Sequence, residues 1–122
     1  MKKILIVEDE DSLRKALAEK FLAEKFEVLE AVNGEDGLVS IEKNSPDLVL
    51  LDIIMPIMDG MTMLKELRKT KFGKDVPVII LTNSNNDDSL SESLASGAYD
   101  FLIKSNWKIQ EVVDKVKERL GA

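Results

Sequence analysis

Four short apolar runs constrain this chain more than any other feature. Ile4-Leu5-Ile6-Val7, Leu48-Val49-Leu50-Leu51, Val78-Ile79-Ile80-Leu81 and Phe101-Leu102-Ile103 each stop abruptly at a polar side chain. A run of this length without polar alternation reads as a strand buried on both faces, the pattern of a parallel sheet. The residues that close the runs are Glu8 and Asp9, Asp52, Thr82 and Lys104. Open α/β sheets hold their ligands outside the C-terminal ends of the strands. Asp52 is the most telling of the four closures, a charge delivered to such a rim by an entirely apolar strand.

Composition narrows the chemistry. A chain of 122 residues forms one domain with a normal core. With 44% hydrophobic and 33% charged residues it has the balance of an ordered soluble protein. A formal charge of −6 argues against direct nucleic-acid binding through a basic surface. There are no cysteines, which excludes disulfides and thiolate metal sites. Histidine is absent as well, so imidazole ligation and histidine acid/base catalysis are impossible within the chain. Met1-Lys2-Lys3 precedes an apolar stretch too short for a signal peptide, and no run approaches membrane-spanning length. The expectation is a cytoplasmic protein with no membrane insertion.

Five strand-then-helix units follow one another without a linker or repeat. The expected strands are about 2–7, 26–31, 48–51, 78–81 and 100–103. Asp11 and Ser12 are candidate caps for a first helix with Leu13, Ala16, Leu17 and Phe21 on one face. A second helix spans about 35–43 and stops at Ser45-Pro46-Asp47. The third starts near Gly60 and carries Met63, Leu64 and Leu67. The fourth, about 88–96, has few apolar anchors, namely Leu90, Leu94 and Ala95. The last has the clearest stripe, Ile109, Val112, Val113, Val116 and Leu120, with Gly121 suited to its C-terminal side. Such alternation implies a parallel sheet with helices on both faces. Strand order is not fixed by the pattern.

Two acids after the first strand, an acid after the third, a hydroxyl after the fourth and a lysine after the fifth, with Pro56 and Gly60 beyond Asp52, resemble the receiver domain of two-component response regulators. The resemblance covers the whole chain and is close to single-domain chemotaxis-type regulators. It implies a flavodoxin-like, doubly wound (βα)5 fold with strand order 2-1-3-4-5. It also implies a single receiver domain over 1–122, with no output domain in that span. Taken singly, each residue has an ordinary structural role, such as acids before a helix dipole or a solvated lysine. The combination at four strand ends is what is specific.

The implied order brings Glu8, Asp9 and Asp52 together. Carboxylates this close repel by roughly 3–4 kcal/mol per pair at an effective dielectric near 20. A hard divalent cation such as Mg²⁺ relieves that repulsion, taking carboxylate and phosphate oxygens and keeping several waters. By the resemblance, Glu8, Asp9, Asp52 and the backbone carbonyl of Ile54 hold the metal. Glu8, longer by a methylene than an aspartate, can act through water. Asp52 is implied as the phosphoacceptor, with the phosphoryl group arriving from a histidine kinase or histidine phosphotransfer protein. Lys104 supplies a second positive charge, and Thr82 a hydrogen bond to the phosphoryl group. Thr82 and Phe101 form the implied switch, with the fourth helix as the element that shifts and a downstream protein as the reader. On this view the chain is not an enzyme beyond its own phosphorylation and dephosphorylation.

The chain departs from the family pattern after the lysine, where Ser105 replaces the usual proline. A trans bond is expected there, because a cis bond without proline costs about 2.5–4 kcal/mol. Asn83 stands where a small residue is usual, and Ile54 and Ser84 offer no group to position a hydrolytic water, which suggests slow self-dephosphorylation. Met55, Met58, Met61 and Met63 read as gap-filling residues and Trp107 as a packing residue. Two alternatives keep a similar fold: a receiver-like scaffold that works unphosphorylated, and a small flavin or nucleotide binder. The second lacks a glycine-rich phosphate loop after any strand. A dehalogenase-type phosphatase wants a second Asp two residues past Asp52, where Ile54 stands.

Overall fold

A computed structural model of the chain describes residues 2–52, 55, 57–82, 95, 97–98, 100–103 and 108–121. The elements run β1 (Lys3–Val7), α1 (Asp11–Ala23), β2 (Glu27–Ala31), α2 (Gly34–Asn44), β3 (Leu48–Asp52), α3 (Gly60–Arg68), β4 (Val78–Thr82), β5 (Asp100–Ile103) and α4 (Ile109–Leu120). All strand pairs are parallel, in the order β2-β1-β3-β4-β5. The expected fourth helix, about 88–96, lies largely outside the described residues, as does the bond between Lys104 and Ser105.

The apolar runs explain both layers. Successive strand side chains point to opposite faces, and here each face has its own core. Ile4, Ile6, Leu48, Leu50, Ile79 and Leu81 pack with Leu17 and Phe21 of α1 and with Val112, Val113 and Val116 of α4. Leu5, Val7, Val49, Leu51, Val78 and Ile80 pack on the other face with Ile41 of α2 and Met63, Leu64 and Leu67 of α3. Both faces are covered, so neither set can be polar. Each such side chain contributes about 1.5–3 kcal/mol by leaving water.

Helix starts and stops are set locally. The side chains of Asn33 and Asp59 accept from the N–H groups of Asp36 and Thr62, both at 2.8 Å, and so cap α2 and α3. Gly121 ends α4 in the left-handed region at φ 71°, as its lack of a Cβ allows. The first helix differs from expectation. Asp11 is its first residue rather than a cap, Glu10 holds the cap position without a side-chain bond to a helix N–H, and Arg14 and Ala18 occupy the buried face while Ala16 is half-exposed. An apolar stripe cannot reveal a buried arginine. Met55 and Met63 are buried and Met58 packs against the α2–α3 core, as gap-filling residues should, whereas Met61 is only partly buried and belongs to neither core.

Candidate functional site

The chain crosses from β1 out to β2 and back over β1 to β3, so β1 and β3 lie side by side where the winding reverses. Val7 pairs with Leu51, and one further residue along each strand brings Glu8 level with Asp52. Glu8 is 1% exposed and Asp52 5%, whereas Asp9 is open to solvent. Carboxylate oxygens of these three residues lie within 4.8 Å of one another. The acids expected to converge do so.

Glu8 is held on three sides. Its N–H donates to the carbonyl of Ala31 on β2 at 3.0 Å. Its carboxylate accepts from the N–H of Glu10 at 3.1 Å. Its carbonyl accepts from a terminal guanidinium nitrogen of Arg14 at 3.0 Å. The same guanidinium donates to Asp11 at 2.7 Å and to Glu30 on β2 at 3.0 Å. Burial disfavours the charge on Arg14, but the hydrogen bonds and charges of Asp11 and Glu30 outweigh it and raise its pKa above the ordinary arginine value.

On the other side of Asp52, β4 pairs Leu81 with Asp52 and ends at Thr82. Thr82 pairs in turn with Ile103, and Phe101 with Ile80. The backbones of Thr82 and Phe101 are therefore strand at the expected places; their side chains, like all of Lys104, Ile54, Asn83, Ser84 and Trp107, lie outside the described residues. The β3–α3 loop is tied back to α2, where the N–H of Gly34 donates to the carbonyl of Met58 at 3.1 Å.

The donor set of the cluster is all oxygen and all anionic, with two of the three acids buried. Three like charges at this spacing repel by roughly 3–4 kcal/mol per pair. A hard, oxygen-seeking divalent cation fits this chemistry; a soft, nitrogen- or sulfur-seeking metal does not.

A five-stranded parallel α/β sheet with three acids at its switch point defines a class, and sequence comparison sharpens it. The family profile of the response regulator receiver domain matches residues 4–117, and the chain belongs to that family. It is 36% identical over 104 residues to the transcriptional regulatory protein AfsQ1 of Streptomyces coelicolor, a match covering 85% of this chain and 45% of that protein. The chain thus spans less than half the length of such relatives. A crystal structure of a putative response regulator from Chloroflexus aurantiacus superposes with a TM-score of 0.90 at 32% identity, covering 99% of this chain and 98% of that one. The receiver domain of the sensor histidine kinase PA1611 from Pseudomonas aeruginosa, solved with magnesium coordinated in its active-site cleft, gives a TM-score of 0.89 at 26% identity, covering 99% and 98%. Receiver domains act in two-component signalling, and the order and pairing of the strands are those of that fold.

The sequence did not single out Arg14. Its signal was present, an arginine between Leu13 and Leu17 with an acid three residues before it, but the partner on β2 emerges only with the strand order.

Proposed function

We propose that Asp52 is the phosphoacceptor and that residues 1–122 work as one receiver unit. The observation that carries this is the convergence of Glu8, Asp9 and Asp52 within 4.8 Å at the C-terminal rim of β1 and β3. An oxygen of the Asp52 carboxylate attacks the phosphorus of a partner's phosphohistidine. A P–O bond forms, the P–N bond breaks, and its electron pair leaves with the imidazole nitrogen, giving an acyl phosphate on Asp52. The chain contains no histidine, so the donor is a histidine kinase or a histidine phosphotransfer protein.

Glu8, Asp9, Asp52 and the carbonyl of Ile54 are the proposed ligands of Mg²⁺. If Mg²⁺ were bound by these residues, it would supply positive charge against the acids and the phosphoryl oxygens. The chain's own part is positional. β3 presents Asp52 on a rigid strand, and Ala31 of β2 and Arg14 of α1 hold Glu8 by its N–H and carbonyl. Lys104 and Thr82 are proposed to contact the phosphoryl group, and Thr82 and Phe101 to pass its arrival to the surface read by a downstream protein. Catalysis is confined to the domain's own phosphorylation and dephosphorylation. Among the described residues no helix is long and apolar enough to cross a membrane, and the working location proposed is the cytoplasm.

Intact mass after incubation with acetyl phosphate tests the proposal. The expected result is a gain of one phosphoryl group that requires Mg²⁺ and is lost in Asp52→Asn. No gain, together with no binding of Mg²⁺, would move the chain to the scaffold alternative.

A further inference from the structure

We infer that Arg14 is a positioning residue for the acidic pocket, one that fixes the peptide carrying Glu8 and Asp9 and so sets the affinity for a divalent cation. The inference rests on the receiver reading of the pocket and goes beyond it, because Arg14 belongs to none of the groups that would touch metal or phosphoryl. The residue is only 7% exposed although it lies in the first turn of a helix. Its guanidinium spreads over three parts of the chain. It reaches the Glu8 carbonyl in the β1–α1 turn, Asp11 at the start of α1, and Glu30 on the edge strand β2. With the Glu8 N–H held by Ala31, the Glu8 backbone is gripped from both ends, and both grips are anchored on β2.

Two physical roles must be separated. As a charge, Arg14 would oppose cation binding, so its removal would tighten the pocket's hold on Mg²⁺. As a fork, it keeps the ligand-bearing turn in place, so its loss would loosen that hold. The charge is already balanced by two contacting acids, Asp11 and Glu30. That leaves geometry as the dominant role. Lysine separates the two, since it keeps the charge but cannot make a planar three-way fork. Groups that orient metal ligands from behind typically set affinity by about 10–100-fold.

The experiment is a Mg²⁺ titration of isotope-labelled protein by NMR, comparing wild type, Arg14→Lys, Arg14→Ala and, as a destabilised control, Leu17→Ala. Amide exchange at residues 8–10 is measured in the same samples without metal. Both Arg14 variants are expected to raise the Mg²⁺ dissociation constant at least about 10-fold, and to speed exchange at Glu10, while Leu17→Ala leaves the dissociation constant unchanged. A dissociation constant for Arg14→Lys within about twofold of wild type, or tighter binding by Arg14→Ala, would overturn the inference. A wild-type protein that binds no Mg²⁺ would instead defeat the reading of the pocket. The exchange data would still decide whether Arg14 holds the turn, unchanged exchange at Glu10 counting against it.

Discussion

Glu8 and Asp52 stand level at the C-terminal ends of neighbouring strands, both buried, with carboxylate oxygens inside one 4.8 Å cluster that also takes in Asp9. Two buried acids this close are costly to bring together in a folded domain. The arrangement makes sense as a preformed receptacle for positive charge, and the consequences can be measured.

The first consequence is linkage. A ligand that binds only the folded state stabilises it by an amount set by its concentration relative to its dissociation constant, about 2.7 kcal/mol at a hundredfold excess. Urea unfolding of the wild type should therefore shift to higher midpoint as Mg²⁺ is added. Asp9→Asn should lose most of that shift. An equal shift in both proteins would place the ion elsewhere.

The second concerns the contact that anchors the loop after β3. A Cβ added at Gly34 would stand 2.7 Å from the carbonyl oxygen of Met58 and 3.0 Å from the Cβ of Met63. Backbone is the nearer obstacle, so α2 or the loop must move. Gly34→Ala should cost about 1–3 kcal/mol, the usual range for overpacking, read as a lower urea midpoint at unchanged slope.

Ile57 gives a prediction of opposite sign. It is 78% exposed and sits at φ 68°, a left-handed conformation that β-branched residues strongly avoid. Little contact is lost by replacing it. Asparagine tolerates that conformation, so Ile57→Asn should stabilise the domain by roughly 1 kcal/mol. A destabilised variant would mean that the isoleucine side chain holds the loop.

How much of this was legible beforehand depends on the kind of signal. The strands β1, β3 and β4 are readable because burial on both faces removes polar alternation, β5 is readable from its apolar run, and the ends of all four fall within about one residue of expectation. Strand order was not, because periodicity says nothing about neighbours; Glu8 meets Asp52 only through the order that the family resemblance supplied. Asn33 and Asp59 cap their helices while Asp11 and Ser12 do not, although all four are cap-forming types. The difference is tertiary: Asp11 is drawn into the Arg14 fork instead.

A pH-dependent contact ties α1 to α4. Lys117 donates to Glu24, and that hydrogen bond, with the lysine's charge, holds the Glu24 carboxyl below its usual range. A carboxyl depressed on folding contributes stability that is present above its unfolded pKa and lost as pH falls through the folded value. Stability should therefore drop on acidification below about pH 4.5. Lys117→Met should flatten that part of the profile, and high salt should do the same in the wild type. An identical acid limb in the variant would show that the contact does not form in solution.

The most direct test of the central claim is to locate the phosphoryl group. After exposure to acetyl phosphate and Mg²⁺, borohydride reduces an acyl phosphate to an alcohol, which peptide mass spectrometry can assign to one residue. The account predicts reduction at position 52 alone. Reduction at Glu8, Asp9 or any other acid, with position 52 unmodified, would contradict it.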